Sequence, residues 1–163
     1  MAPGLDVLFC GINPGLRSAE VGHNFARPGN RFWRALHGAG FTPRLLAPEE
    51  DAELPRYGIG MTNLVDRASK GADDLTPDEL RAGGAKLEAL VRRWEPRVVA
   101  VVGLGAYRTA FGRPKATIGL QADEVGDRPV WVLPNPSGLN AHYQLPDLIR
   151  LFGELREWVR RSE

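Results

Sequence analysis

The chain has 163 residues, 43% hydrophobic and 25% charged, with a net charge of +1. That length supports one core of ordinary domain size and no break in composition divides it, so a single domain over residues 1–163 is expected. No apolar stretch approaches the roughly 18 residues of a membrane span. Met1-Ala2-Pro3-Gly4-Leu5-Asp6 lacks a basic segment followed by an apolar one, so the expectation is a soluble, cytoplasmic protein without a signal peptide.

The elements follow in chain order. Leu5 to Gly11 is an apolar run that predicts a buried strand, and the turn Gly11-Ile12-Asn13-Pro14-Gly15 ends it. Gly15 to Gly29, with Gly22 and Pro28 inside it, predicts a long irregular loop of the kind that carries function. Asn30 is placed to cap a helix over Arg31 to Ala39 that Gly40 stops, and Ala47 to Pro55 reads as a short helix or a loop. Gly58 to Leu64 is the second strand. Thr76-Pro77-Asp78-Glu79 is a capping box with proline at the first helical position, opening a helix to about Trp94. Arg97 to Gly103 is the third strand, Gly105 to Phe111 a short helix, and Pro129 to Leu133 the fourth strand. Pro146 to Arg161 predicts a last helix, with Leu148, Ile149, Phe152, Leu155, Trp158 and Val159 on its core face. Alternating strands and helices imply a mostly parallel sheet with helices on both faces.

Chemistry is sought first at the two Asn-Pro turns, Gly11 to Gly15 and Asn135 to Asn140, because each stands behind a buried strand. Ligands of open α/β sheets bind at the carboxyl ends of the strands, where loops converge and helix N-termini offer N–H donors. Asn13 is not a strong base, but its amide can hold a water or a planar heterocycle; the bland alternative is a turn in which it bonds only its own backbone. Leu139 is either half-buried under the last helix or an apolar wedge of the kind pushed between base steps. Cys10 is the only cysteine, which excludes an internal disulfide and an all-cysteine metal site. His23, His37 and His142 are scattered, so neither metal nor cofactor is expected. Arg17, Arg27, Arg31 and Arg34 surround the first turn with only Glu20 among them, either as a local positive face or as a solvated helix surface.

Gly11-Ile12-Asn13-Pro14-Gly15-Leu16, Gly22-His23-Asn24-Phe25, Pro28-Gly29-Asn30-Arg31-Phe32-Trp33, Gly60-Met61-Thr62-Asn63-Leu64-Val65-Asp66-Arg67 and Asn135-Pro136-Ser137-Gly138-Leu139 together carry a resemblance. They are similar, in order and in strand context, to the mismatch-specific uracil-DNA glycosylase and thymine-DNA glycosylase family. The resemblance runs from about Gly4 to Trp158. It implies a three-layer αβα sandwich around a mostly parallel sheet of four to five strands. It also implies a monofunctional enzyme that excises uracil, or thymine and other damaged pyrimidines, opposite guanine in double-stranded DNA. Such an enzyme acts on chromosomal DNA, as a monomer by default, and hands its abasic product to downstream repair enzymes.

On the same resemblance, Asn13 positions the attacking water and Phe25 stacks on the flipped base. Ser18 lies near the C5 side of that base, and Ile12, Gly15, Asn24 and Asn135 complete the pocket. Ser137, Gly138, Leu139, Asn140 and His142 belong to the wedge and the widowed guanine. The family's wedge loop can carry an arginine two residues past the leucine, where this chain has Ala141, and His142 is the nearest substitute. Classical uracil-DNA glycosylases, another branch, have aspartate and histidine where Asn13 and Asn135 stand, which implies slower chemistry here. Asp74 is the auxiliary carboxylate considered, with Asp73 as its neighbour and Asp66 expected to pair with Arg67.

Two rival readings differ in class. A nucleotide-phosphate enzyme would use glycine loops as phosphate cradles, but the first loop lacks a Gly-Lys-Ser/Thr ending and Gly103-Leu104-Gly105 leads to Arg108 where a dinucleotide fingerprint needs glycine. A non-catalytic mismatch-binding module would keep Phe25 and Leu139 and do no chemistry.

Overall fold

The computed structural model describes residues 3–162; Met1, Ala2 and Glu163, at the ends of the expected domain, lie outside the described residues. The strands are β1 (Val7–Gly11), β2 (Ile59–Asn63), β3 (Val98–Val102), β4 (Gly119–Val125) and β5 (Arg128–Leu133). The helices are α1 (Leu16–Val21), α2 (Phe32–Gly38), α3 (Pro77–Trp94), α4 (Leu104–Ala110) and α5 (Leu145–Arg161), with 3₁₀ segments at Pro48–Tyr57 and Ala72–Asp74. The sheet runs β2-β1-β3-β5-β4, parallel except for β4, which pairs antiparallel with β5. The result is an α/β fold with a central mixed sheet and helices on both faces.

Side chains alternate across a strand, so each central strand feeds two cores. Val7 and Phe9 of β1 join Val98, Ala100, Trp131 and Leu133 under α2 and α5, through Phe32, Leu36, Leu148 and Phe152. Leu8 and Cys10 join Val99, Val101, Val130 and Val132 under α3 and α4, through Leu87, Val91 and Tyr107. This double burial is why β1, β3 and β5 read as unbroken apolar runs. Among the described residues, no helix is long and apolar enough to cross a membrane.

Two elements depart from expectation. β4 is an edge strand with Leu120 and most of its neighbours exposed, so it has neither an apolar run nor a buried face to betray it. A tight hairpin joins it to β5, with Gly126 and Asp127 at φ +56° and +67°, the mirror-image turn that suits twisted strands. The stretch expected to be irregular contains α1, a helix of six residues whose start at Gly15 has no side-chain cap. Elsewhere the elements fall within a few residues of their expected bounds. The Thr76–Glu79 capping box forms in both directions, at 3.1 and 3.0 Å.

Candidate active site

The carboxyl ends of β1, β2, β3 and β5 share one sheet edge. From β1 the sheet extends to β2 on one side and β3 on the other, the switch point at which loops part and leave a crevice. A cleft of about 580 Å³ opens there, walled by the loops that follow these strands and by the segment from Gly15 to Asn30.

Past the end of β2 the chain keeps company with the chain past β1. Leu64 donates to the Gly11 carbonyl at 2.9 Å, Val65 to Ile12 at 3.0 Å and Ser69 to Pro14 at 3.2 Å. This ladder carries the Arg67 carbonyl and the Ser69 hydroxyl to Asn13. The Asn13 Nδ2 donates to both, at 2.8 Å each, and the Ser69 Oγ donates onward to the Gly71 carbonyl at 2.7 Å. A primary amide has two N–H donors, and both are engaged. Asn13 therefore does not fold back onto its own backbone, and its Oδ1 is the atom left to accept a hydrogen bond at the cleft.

Arg67 is itself fixed. Its guanidinium makes paired 2.9 Å hydrogen bonds to the Glu79 carboxylate and another to the Asp74 carbonyl. The Arg67 hydrogen bond, followed by the Thr76 N–H, pulls the Glu79 carboxyl down to about 2. Asp66 pairs with Lys86 rather than with Arg67, because Glu79 at the start of α3 offers the planar guanidinium a two-pronged partner. Asp74 also departs from its expected place. Its carboxylate accepts the Gly71 N–H at 3.3 Å within the 3₁₀ turn, and it is Asp73 that lines the cleft.

The opposite wall is built on Phe25, which has φ +50°, an uncommon conformation for an aromatic residue. Its ring stacks on Phe32 at 4.4 Å and 21°, and Phe32 in turn meets Phe9 edge-on at 5.3 Å. Ser18, 9% exposed, holds this turn by accepting the Ala26 N–H at 3.0 Å. Asp51 accepts from the Asn24 N–H at 3.2 Å and from its amide at 3.5 Å, and meets His23 Nδ1 at 3.3 Å. The Trp33 indole donates to the Asn24 carbonyl at 3.2 Å. At the carboxyl end of β1, a Cβ on Gly11 would lie 2.6 Å from the Asn63 Oδ1 and 3.3 Å from the Phe25 ring. Only a hydrogen at this position leaves room for both groups. Ile12, Gly15 and Asn63 also line the cleft, and the Asn63 amide has no hydrogen-bond partner among the described residues.

The loop after β5 forms the rim. The Asn135 Oδ1 accepts the Ser137 N–H at 3.0 Å, the Ser137 Oγ accepts the Leu139 N–H at 3.2 Å, and the Asn140 amide donates to the Asn135 carbonyl at 3.0 Å. The Asn140 Oδ1 accepts the His142 N–H at 3.1 Å. Gly138 lies so close to the Gly29 carbonyl that a Cβ would stand 2.8 Å from it. Leu139, at the tip, is 70% exposed, not half-buried under α5. The exposed His142 faces a neighbouring cleft of about 920 Å³ that shares Ile12, Asp73, Asn135 and Asn140 with the first.

The four arginines near the first turn do not form one face. Arg31 is bonded inward to the carbonyls of the rim loop, and Arg17 approaches Glu20 at 3.9 Å. The exposed Arg27 and Lys70 line the cleft, with no acidic partner within 4.0 Å among the described residues. Among those residues, no group of three or more His, Cys, Asp or Glu is gathered to hold a metal ion.

Sequence reasoning missed Ser69, Asp51, Asn63 and the role of Arg31. Ser69, Asp51 and Arg31 act on partners far away in the chain, and Asn63 and Arg31 fall within motifs to which the sequence alone gives them no role. The family model described as the uracil DNA glycosylase superfamily matches residues 1–159. With nearly the whole chain matched, the protein belongs to the uracil DNA glycosylase superfamily, and glycosylase-type hydrolase function on DNA goes with that membership.

Proposed function

We propose that the protein flips uracil mispaired with guanine out of double-stranded DNA and hydrolyses its N-glycosidic bond, leaving an abasic site. The observation that carries this reading is Asn13, a residue lining the cleft whose amide nitrogen is fully engaged and whose Oδ1 is left to accept. An oxygen so held can accept a hydrogen bond from a water and hold its lone pair toward the sugar C1′. An amide cannot take the proton as a carboxylate does, so the attacking group is a positioned water and the chemistry is slow. As the bond breaks, the sugar gains oxocarbenium character and the pyrimidine leaves with negative charge. Backbone N–H groups at Gly15 and Phe25 and the amides of Asn24 and Asn63 border the space this anion would fill.

A base within the stack is out of reach, and extruding it costs a few kcal/mol, less when it is mispaired. Phe25 offers the extruded base a stacking face, and burying Leu139 in the vacated space returns about 1.5–3 kcal/mol. Arg27 and Lys70 suit contact with the phosphates beside the flipped nucleotide, an attraction that weakens as salt rises. Ser18 and Asn24 are the side chains that bear on whether a C5 methyl group enters, a distinction worth about 1–3 kcal/mol in a pocket of this kind. The test is incubation with a G·U duplex followed by alkali, repeated with G·T and A·U duplexes and single strands. Scission at uracil is expected, and greatest for the mispair.

A further inference from the structure

We infer that Arg31 is a positioning residue that sets the rim loop in its DNA-inserting shape before DNA arrives, an inference that rests on the glycosylase reading above. The Arg31 backbone N–H donates to the Pro136 carbonyl at 3.0 Å and its Nε to the same carbonyl at 3.4 Å. Its Nη2 donates to Ser137 at 2.7 Å and Asn140 at 3.2 Å, and its Nη1 donates to the Tyr143 carbonyl. One guanidinium thus gathers four carbonyls on both sides of Leu139. Surface loops ordinarily turn such carbonyls to water. Here they converge on a cation that has no carboxylate within 4.0 Å among the described residues.

The planar fork matters, because it aims several donors in fixed directions where a lysine offers one compact charge. With the Asn135, Ser137 and Asn140 bonds and the contact of Gly138 on Gly29, the loop backbone is held throughout, and the Leu139 side chain is what projects. A wedge ordered in the free protein spends no binding energy on becoming ordered. Arg31 also immediately precedes Phe32, which supports the Phe25 ring at 4.4 Å. Adjacent residues at the start of α2 therefore fix the group that fills the gap and the group that receives the base, so that insertion and capture share one rigid base.

The experiment compares wild type, Arg31→Lys, Arg31→Ala, Leu139→Ala and the Arg31→Lys/Leu139→Ala double variant. Duplexes carry 2-aminopurine beside either uracil or a tetrahydrofuran abasic analogue opposite guanine. Fluorescence reports unstacking, and single-turnover cleavage reports half-saturation and maximal rate separately. Arg31→Lys, with an unaltered circular dichroism spectrum, is expected to raise the half-saturating duplex concentration about tenfold, in keeping with lost charge-assisted hydrogen bonds. It is expected to lower the fluorescence rise on both duplexes and to add little to Leu139→Ala. Unchanged half-saturation and fluorescence in Arg31→Lys, or effects that multiply in the double variant, would overturn the inference. The abasic-analogue duplex needs no chemistry, so loss of its signal in Arg31→Lys supports the clamp even if wild type leaves uracil in place, an outcome that sinks the glycosylase reading instead. Arg31→Ala bears on the question only through the same fluorescence, read after its fold is verified.

Discussion

The Asn13 Nδ2 donates to the Ser69 Oγ at 2.8 Å, and that hydroxyl in turn donates a hydrogen bond to the Gly71 carbonyl at 2.7 Å. The pair decides which end of the Asn13 amide faces the cleft. Removing the hydroxyl frees one N–H and lets the amide turn. Ser69→Ala is expected to lower the single-turnover rate on a G·U duplex by about 2- to 10-fold, the worth of one neutral hydrogen bond. Ser69→Thr restores it. Asn13→Ala, which removes the water-holding oxygen, is expected to cost on the order of 10²-fold or more.

Leu139 is the simplest side chain to isolate, since it is 70% exposed and contributes little to the free protein. Leu139→Ala is expected to leave the melting temperature unchanged. On a G·U duplex it should lower kcat/KM by about 10- to 100-fold, because the burial it forgoes is worth roughly 1.5–3 kcal/mol. Equal kcat/KM values for the two proteins would remove the wedge from the mechanism.

The Glu79–Arg67 pair carries a pH dependence with a definite sign. Glu79 titrates near 2 in the folded protein against an ordinary value of 4.5, chiefly through the Arg67 hydrogen bond. A depressed carboxyl stabilises the fold fully above its unfolded value and loses that contribution as pH falls through the folded one. The melting-temperature gap between wild type and Glu79→Gln is therefore expected to be full at pH 7 and to close between about 4.5 and about 2. A gap that stays constant down to pH 2.5 would show that Glu79 acts through something other than its charge.

Gly11 tests the close approach at the carboxyl end of β1. An added methyl meets the Asn63 amide end and the Phe25 ring, both side-chain atoms, rather than backbone. Gly11→Ala should therefore fold and lose turnover, with inhibition by free uracil weakened alongside. Gly138→Ala meets the Gly29 carbonyl instead, so the loop backbone must shift and duplex binding should fall with it.

Cys10 gives a check on the core independent of function. Complete burial pushes its thiol far above the ordinary range, and the neutral thiol is a poor nucleophile. A thiol reagent at pH 8 is expected to leave the native protein unlabelled and to label one thiol per chain in denaturant.

What the sequence made legible follows physical lines. β1, β3 and β5 were readable because burial on both faces leaves no polar position to interrupt them, and α3 because Thr76, Pro77 and Glu79 are a local capping signal. β4 was not readable, because an edge strand exposes Leu120 and Ala122 to Glu124 without an apolar run; the Gly126-Asp127 turn was its one local sign. The two Asn-Pro turns were found through strand context and resemblance. Their supports were not, since Arg31 reaches 105 to 112 residues and Asn13 reaches 54 to 56. Nothing within a few residues of Arg31 distinguishes an inward clamp from the solvated arginine at position 34. Asp74 is the carboxylate the sequence reading prefers, but nothing local shows that the 3₁₀ turn engages it with the Gly71 N–H and leaves Asp73 to line the cleft.

The most direct measurement is alkali-dependent strand scission of a G·U duplex, at enzyme excess, by wild type and by Asn13→Ala. Scission at uracil by the wild type and its near loss in the variant, with duplex binding retained, is the expected result. A G·U strand left intact by the wild type, or cleaved equally by both, would contradict a water held by Asn13 as the centre of the chemistry.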